Sequence, residues 1–399
     1  MNHYFILFIA AFALMGCHRG NTESETSENE TIRLAIDLDR KSDKASFYDI
    51  FESVSLIQLE TADEALLNHI DKIIFQHDSI FIMDKKQGTI FLFDAKGRFL
   101  NKLAKLGAGP DEYVNLSDFA VNNYNNSLEL LAAYDGITCY DLNFNFLKKI
   151  PLEDKKKLVH RFAIADSCTR VLFSMFGTHN LAIYDINKQK ITQEFLEIQP
   201  FIYRKCPIGG PFLLENKQEG EAIFTQPFSN ITYSVTSSTL RERYQWDFGK
   251  YNFSVQELKP DLSQEEYERI FASHSFADNN VYAFLANAEN ANLYLCQFAF
   301  GKERKVYTVL YNKATDKYIR IDKLEEGLSF PYYPVVAEDY LYVIPRDTFV
   351  LNALLNEQIK RENSISLKAW NEENNPMILK YKLKKSDKSP QILSEEISR

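Results

Sequence analysis

The residue types that could carry chemistry are scattered. Seven histidines occupy positions 3, 18, 69, 77, 160, 179 and 274 of 399 residues. None stands in the His-Glu-x-x-His spacing that puts two imidazoles on one helical face for zinc. His69 and His77 flank the run "DKIIF" and read as ordinary turn or surface residues. Asp37, Asp39 and Asp43 hold the first, third and seventh places of a calcium loop, but Ser42 replaces the turn glycine and Tyr48 the bidentate glutamate. That stretch is therefore expected to be a solvated, charged lead-in. Gly107-Ala108-Gly109 has neither the following helix nor the Gly-Lys-Ser/Thr ending of a phosphate cradle. No Gly-x-Ser-x-Gly elbow supports an α/β-hydrolase mechanism.

Two further groups stay open at this level. Asp71, Asp118, Asp166 and Asp339 fall in or beside apolar, strand-like runs, where they could converge on a channel metal or simply end strands. Tyr203 and Arg204 in "FIYRKCPIGGPF", and Tyr332 and Tyr333 between Pro331 and Pro334, stand in irregular stretches. A flat aromatic face with a fixed guanidinium fork suits a sugar ring or a peptide, while the alternative is that these rings wedge into the core. Among the cysteines, Cys139 and Cys296 sit inside apolar runs and read as buried thiols. With Cys168 and Cys206 they allow three pairings and contain no Cys-x-x-Cys element. No metal site and no cofactor are expected.

The amino terminus sets the compartment. Tyr4 to Met15 is an apolar run too short to span a bilayer comfortably and reads as a signal-peptide core. Leu14-Met15-Gly16-Cys17 directly after it resembles a bacterial lipobox, although the usual Lys or Arg before the core is missing. The resemblance implies lipidation of Cys17 and a membrane partner through that anchor. "HRGNTESETSENE" then has almost nothing to bury and is expected to be a disordered tether. Net charge is -9, and no basic stripe stands out, so nucleic acid is not an expected partner.

The elements that would position any site come from a repeat. "TIFLFDAKGRFL" ends its strand in Phe93-Asp94, and the same ending returns at Tyr140-Asp141 and Tyr184-Asp185. The interval, roughly 45 residues, is that of a four-stranded propeller blade. Degenerate copies follow at Tyr233-Ser234, Tyr311-Asn312 and Tyr381-Lys382. Wider spacing among them accommodates two helical insertions. The first is "LSQEEYERIFASH", with Ser263 and Glu266 as a capping box, and the second is "DTFVLNALLNEQIKREN". Six markers with the last blade one strand short predict that "FESVSLIQLET", from Phe51 to Thr61, supplies the missing outer strand and closes the ring.

This pattern resembles the six-bladed β-propeller lipoproteins of Bacteroidetes and, more distantly, NHL-repeat and TolB-like propellers. The first two blades carry it best, through the Phe-Asp strand end, the turn glycine and the linker "GAGPDEY". The expected fold class is thus all-β, a six-bladed propeller with a closing N-terminal strand and two short helical insertions. Expected boundaries are 1–17 for the lipoprotein signal and lipobox, 18–46 for tether and lead-in, 47–384 for the propeller and 385–399 for a polar tail. In the linker, Gly107 and Gly109 are expected to supply unusual backbone angles, Pro110 to stiffen the path and Tyr113 to anchor it. Glu112 is expected to cap local amides, with a ligand role as the alternative. The functional expectation is a tethered, extracytoplasmic propeller that binds a glycan or an envelope protein through Tyr203, Arg204, Tyr332, Tyr333 and Glu112. The alternative is a lactonase-like or glycan-lyase-like enzyme with a metal in its central channel.

Overall fold

The computed structural model describes residues 31–384 except 134, 153–157, 176, 199–212, 217–219, 227–228, 254–261, 264, 267–268, 271–272, 282–283, 346–348, 356–357, 364 and 366–372. Cys17, Tyr203, Arg204 and Cys206 lie outside the described residues. The chain starts with β1 (Ile32–Ala35), α1 (Phe47–Ile50) and β2 (Phe51–Gln58), and then builds one blade after another. Blade 1 is β3 (Lys72–Gln76), β4 (Ser79–Asp84), β5 (Thr89–Asp94) and β6 (Phe99–Leu103). Blade 2 is β7 (Asp118–Asn122), β8 (Ser127–Ala132), β9 (Gly136–Asp141) and β10 (Phe146–Ile150). Blade 3 comprises β11 (Arg161–Ile164), β12 (Thr169–Phe173), β13 (His179–Asp185) and β14 (Lys190–Glu197), and blade 4 comprises β15 (Leu213–Asn216), β16 (Ala222–Thr225), β17 (Ile231–Val235) and β18 (Leu240–Asp247). After α2 (His274–Asn279) comes blade 5, made of β19 (Phe284–Glu289), β20 (Leu293–Phe300), β21 (Lys305–Asn312) and β22 (Lys317–Ile321). Blade 6 holds β23 (Val335–Ala337), β24 (Tyr340–Val343) and, beyond α3 (Phe349–Leu355), β25 (Met377–Leu383).

The ring closes as the strand count predicts. β2 pairs antiparallel with β25, Phe51 opposite Leu383 and Gln58 opposite Met377, so the order in blade 6 is β2-β25-β24-β23. In blades 1, 2, 3 and 5 the repeat marker has a physical cause in the turn after the third strand, whereas in blade 4 Thr236, two residues past Ser234, caps that turn. Phe93, Tyr140 and Tyr184 are buried core rings. Asp94 accepts the Lys96 and Arg98 N–H groups at 2.9 Å each, and Asp141 accepts those of Asn143 at 2.9 Å and Asn145 at 2.8 Å. Asn312 does the same for Ala314 and Thr315 at 3.0 and 3.1 Å. A carboxylate or amide at that place satisfies the turn's otherwise unpaired donors. Lys382 needs no such group, because the fourth strand of its blade comes from the other end of the chain.

Both helical insertions are present. Ser263 N–H donates to the Glu266 carboxylate at 2.8 Å, and Glu266 N–H returns to Ser263 Oγ at 3.3 Å. In α3, Leu351, Ala353 and Leu354 face the core shared with blades 5 and 6.

One boundary needs correction. The folded unit takes in residues upstream of 47, because β1 adds to blade 4 as a fifth strand, parallel to β18 with Ile32 opposite Tyr244. Leu34 and Ile36 enter the core beside Trp246, the alternation Ile32, Leu34, Ile36, Leu38 being the signal that marks the strand. The stretch from Asp37 to Tyr48 keeps most of its charged side chains exposed, as expected of a solvated lead-in, but it is docked on the propeller. Asp39 meets Lys250 at 2.8 Å and the Tyr251 hydroxyl at 2.6 Å, and Asp43 pairs with Arg40 at 2.7 Å and accepts Arg320 N–H at 2.8 Å. Each carboxylate is held by a different partner, and the chain forms a belt from the rim of blade 4 across blade 5 to α1.

Candidate ligand-binding face

Strand alternation fixes two faces. Each inner strand begins on one face, here called the top, and each turn between second and third strands returns to it. Blade-to-blade linkers therefore open on the top face, while the turns after first and third strands form the bottom.

The linker "GAGPDEY" runs from β6 at the rim to β7 at the hub. Tyr113 is fully buried (0% exposed), and its hydroxyl donates to the Gly88 carbonyl at 2.7 Å, with the Leu103 carbonyl also in reach at 3.1 Å. Burial pushes the phenol up to about 12. Glu112 accepts the Gly109 N–H at 2.7 Å, so its carboxylate caps the loop's own amide. The reason for glycine here differs from the expectation, since neither Gly107 nor Gly109 has a positive φ. A Cβ on Gly107 would instead lie 2.0 Å from Glu112 Oε2, and one on Gly109 2.9 Å from it. The glycines make room for the capping carboxylate. Pro110 lies between them and Asp111, which pairs with Lys105 at 2.7 Å.

Tyr332 and Tyr333 directly precede β23 and are 37% and 44% exposed. Tyr333 has φ 51°, a left-handed conformation that is uncommon for a side chain of this size. The buried Gln297 of β20 holds it there: Oε1 accepts the Tyr333 N–H at 3.1 Å, and Nε2 donates to the Pro331 carbonyl at 2.8 Å. Phe330, one step earlier, stacks on Phe51 at 5.7 Å. The result is an aromatic knuckle with a rigid base and outward rings.

The four aspartates do not share one place. Asp71 and Asp118 stand at the beginnings of β3 and β7, on the top, whereas Asp166 and Asp339 follow β11 and β23, on the bottom. Asp118 is 2% exposed and accepts Lys72 Nζ at 2.7 Å and Phe162 N–H at 3.0 Å. Asp166 accepts Cys168 N–H at 2.8 Å as a turn residue. Among the described residues no group of three or more His, Cys, Asp or Glu is placed to hold a metal ion. His69 lies 3.5 Å from Asp71, and His77 sits at φ 50° in the exposed turn after β3. Cys139 and Cys296 are buried free thiols raised in pKa by that burial, and Cys168 is a half-buried free thiol.

Sequence reasoning missed two ionic clusters and a cavity. Glu129 on β8 and Arg170 on β12 form a buried bidentate pair joining blades 2 and 3, both contacts at 2.6 Å. At the bottom, Arg243 bridges Glu221 at 2.9 Å and Glu289 at 2.7 Å, and Lys313 also reaches Glu289, tying blade 4 to blade 5. A cavity of about 340 Å³ opens on blade 3 between Leu152, Val159, Leu172, Asn180 and Tyr184, and none of the proposed ligand-binding residues lines it. No local spacing announces these groups, because their partners lie in different blades.

Comparison with known proteins follows the same lines. A family described as a domain of unknown function, DUF4934, matches residues 30–382. A Bacteroides fragilis protein inferred to be exported superposes with TM-score 0.69 at 19% identity, over 89% of this chain and 100% of its own. A DUF4221 member from Bacteroides vulgatus superposes with TM-score 0.51 at 13% identity, over 84% of this chain and 97% of its own. These likenesses concern the fold. No functionally curated protein matches the sequence.

Proposed function

The chain belongs to the DUF4934 family, and on that footing we propose that it is a lipid-anchored propeller of the cell envelope, held outside the cytoplasm through Cys17, whose top face binds a glycan. The single observation that carries the binding reading is the knuckle of Tyr332 and Tyr333. Its left-handed backbone is maintained by a buried glutamine while both rings remain outside the core. A rigid aromatic pair stacks on a sugar ring with little conformational entropy to lose. Tyr203 and Arg204, in the linker between β14 and β15, join the proposal on sequence grounds, as does Glu112.

The belt supports the anchoring geometry. β1 runs parallel to β18, from bottom towards top, so the chain arrives at Ile32 from the bottom side. A lipidated Cys17 upstream would turn the bottom to the membrane and the knuckle away from it. The exported neighbour from Bacteroides fragilis supports the compartment. The test joins two measurements. Palmitate labelling of whole cells should mark the wild type and not Cys17→Ala. A glycan and peptide array on the domain from residue 31 should give glycan ligands whose binding falls about tenfold in Y332A/Y333A. An array that returns only peptides, or a glycan bound equally by the double variant, overturns the glycan reading.

A further inference from the structure

The cavity of about 340 Å³ on blade 3 has a cause in the repeat. Two residues before the six strand-end aromatics stand Phe91, Thr138, Ala182, Ile231, Val309 and Leu379. Blade 3 fills that place with alanine, the smallest of the six side chains, and space is left between its sheet and the linker arriving from blade 2. Leu172 of β12, Ile191 of β14, and Leu152 and Val159 of that linker give the space aliphatic walls. A bulge between β13 and β14 sets Ile191 opposite Tyr184 and Glu194 opposite Ala182, so both fall on the cavity side of the sheet.

The floor is polar at one point. Asn180, two residues before Ala182 on the same face of β13, lines the cavity and is 1% exposed. Its Nδ2 donates to the Ser174 carbonyl at 3.0 Å, which assigns the amide's orientation. Its Oδ1 is buried and has no hydrogen-bond partner among the described residues. Such an acceptor costs free energy until a donor reaches it. Tyr184, further along the strand, gives its hydroxyl hydrogen to the Pro151 carbonyl instead. The rim is open: Gly177 and Thr178 are exposed, and a Cβ built on Gly177 would meet nothing within 4 Å. Lys190 and Glu194 also line the cavity from exposed positions, with opposite charges, so neither sign of ligand charge is favoured there.

We propose that this cavity is a binding site for a small, uncharged, flat molecule with an apolar ring and one N–H or O–H donor, an indole or a phenol, whose donor meets Asn180 Oδ1. Aliphatic walls take the ring, and a gap lying along a sheet face suits a flat body. The volume is at the lower end for small-ligand sites, which fits one or two fused rings. A buried acceptor then discriminates against rings of the same shape that lack the donor. The site is separate from the tyrosine knuckle and does not rest on the glycan reading.

The test uses the full chain with isotopically labelled leucine and valine methyl groups, titrated with indole and with indene, which keeps the ring shape and lacks the N–H. Indole should move the Leu172 and Val159 resonances and bind roughly tenfold more tightly than indene, and p-cresol should be preferred over toluene in the same way. Ala182→Leu introduces the residue that blade 6 already carries at this place in the repeat, and by filling the space it should weaken indole binding about tenfold or more. Asn180→Leu should erase the difference between indole and indene. Should that variant fail to fold, the ligand pairs and Ala182→Leu decide the matter without it. Equal binding of indole and indene to the wild type, no shift at Leu172 or Val159, or indole binding unchanged in Ala182→Leu overturns the proposal.

Discussion

Glu129 and Arg170 are each 1% exposed and meet through two contacts of 2.6 Å, one from Nε and one from Nη2. Arg170 Nη1 is satisfied separately by the Asp166 and Thr169 carbonyls at 2.9 Å, and Asn122 Nδ2 adds a bond to Glu129 at 2.7 Å. Glu129→Ala removes the one carboxylate that meets Arg170 among the described residues and strands a buried guanidinium plus one amide hydrogen. Removing one partner of a buried pair costs about 3–5 kcal/mol, because the remaining charge has been desolvated without compensation. Against a total of about 5–15 kcal/mol, that is a large share. The double variant Glu129→Leu/Arg170→Met removes both charges and takes away the partner of the Asn122 amide and the Nη1 donor of the Asp166 carbonyl, while the Thr169 carbonyl keeps the Ala165 N–H. It should therefore recover to within about 1–2 kcal/mol of wild type. Urea denaturation followed by far-UV circular dichroism measures both. A single variant that loses under about 1 kcal/mol, or a double variant no more stable than the single, refutes the account of a desolvated charge joining blades 2 and 3.

Three further outcomes are expected. Gly107→Ala should displace the Glu112 carboxylate from the Gly109 amide and cost about 1 kcal/mol in denaturant midpoint, and Gly107→Ala in a Glu112→Ala background should cost much less. Gln297→Leu strands the Pro331 carbonyl and the Tyr333 N–H, so it should cost about 1–3 kcal/mol and expose the 330–334 segment to limited proteolysis. Asp84 is buried, and although burial raises its pKa, hydrogen bonds from Gln87, His69 and Asn68 outweigh that and hold it below 3.8. Its contribution is thus complete above the unfolded value and fades as pH falls through the lower folded one. Asp84→Asn should be less stable at pH 7 and show a shallower loss between about pH 4 and 2 in urea midpoints.

Much of the fold was legible in local sequence, because each blade is a run of hairpins whose strands alternate and whose turns carry their own capping residues. Phe93-Asp94 and its copies mark a buried ring followed by a turn cap, and both roles are read within five residues. The closing strand was legible for a related reason: a blade one strand short must recruit its missing edge. β1 was readable too, in the alternation from Ile32 to Leu38, but its charged continuation masks it until the belt is seen docked on blade 5. The linker residues illustrate the limit, since Gly107 and Gly109 were identifiable as turn residues while their cause, the space taken by Glu112, is a side-chain contact.

Sequence by itself determined the number of blades, the closure and the residue types available at each turn. Tertiary structure decided which charges meet. The Glu129–Arg170 pair, the Lys72–Asp118 pair and the glutamine beneath Tyr333 all join residues from different strands or blades, at separations no periodicity encodes. Hydrophobic alternation is set by the pleat and repeats along the chain, whereas an ion pair or a pinned loop depends on a three-dimensional distance fixed only once the ring has closed.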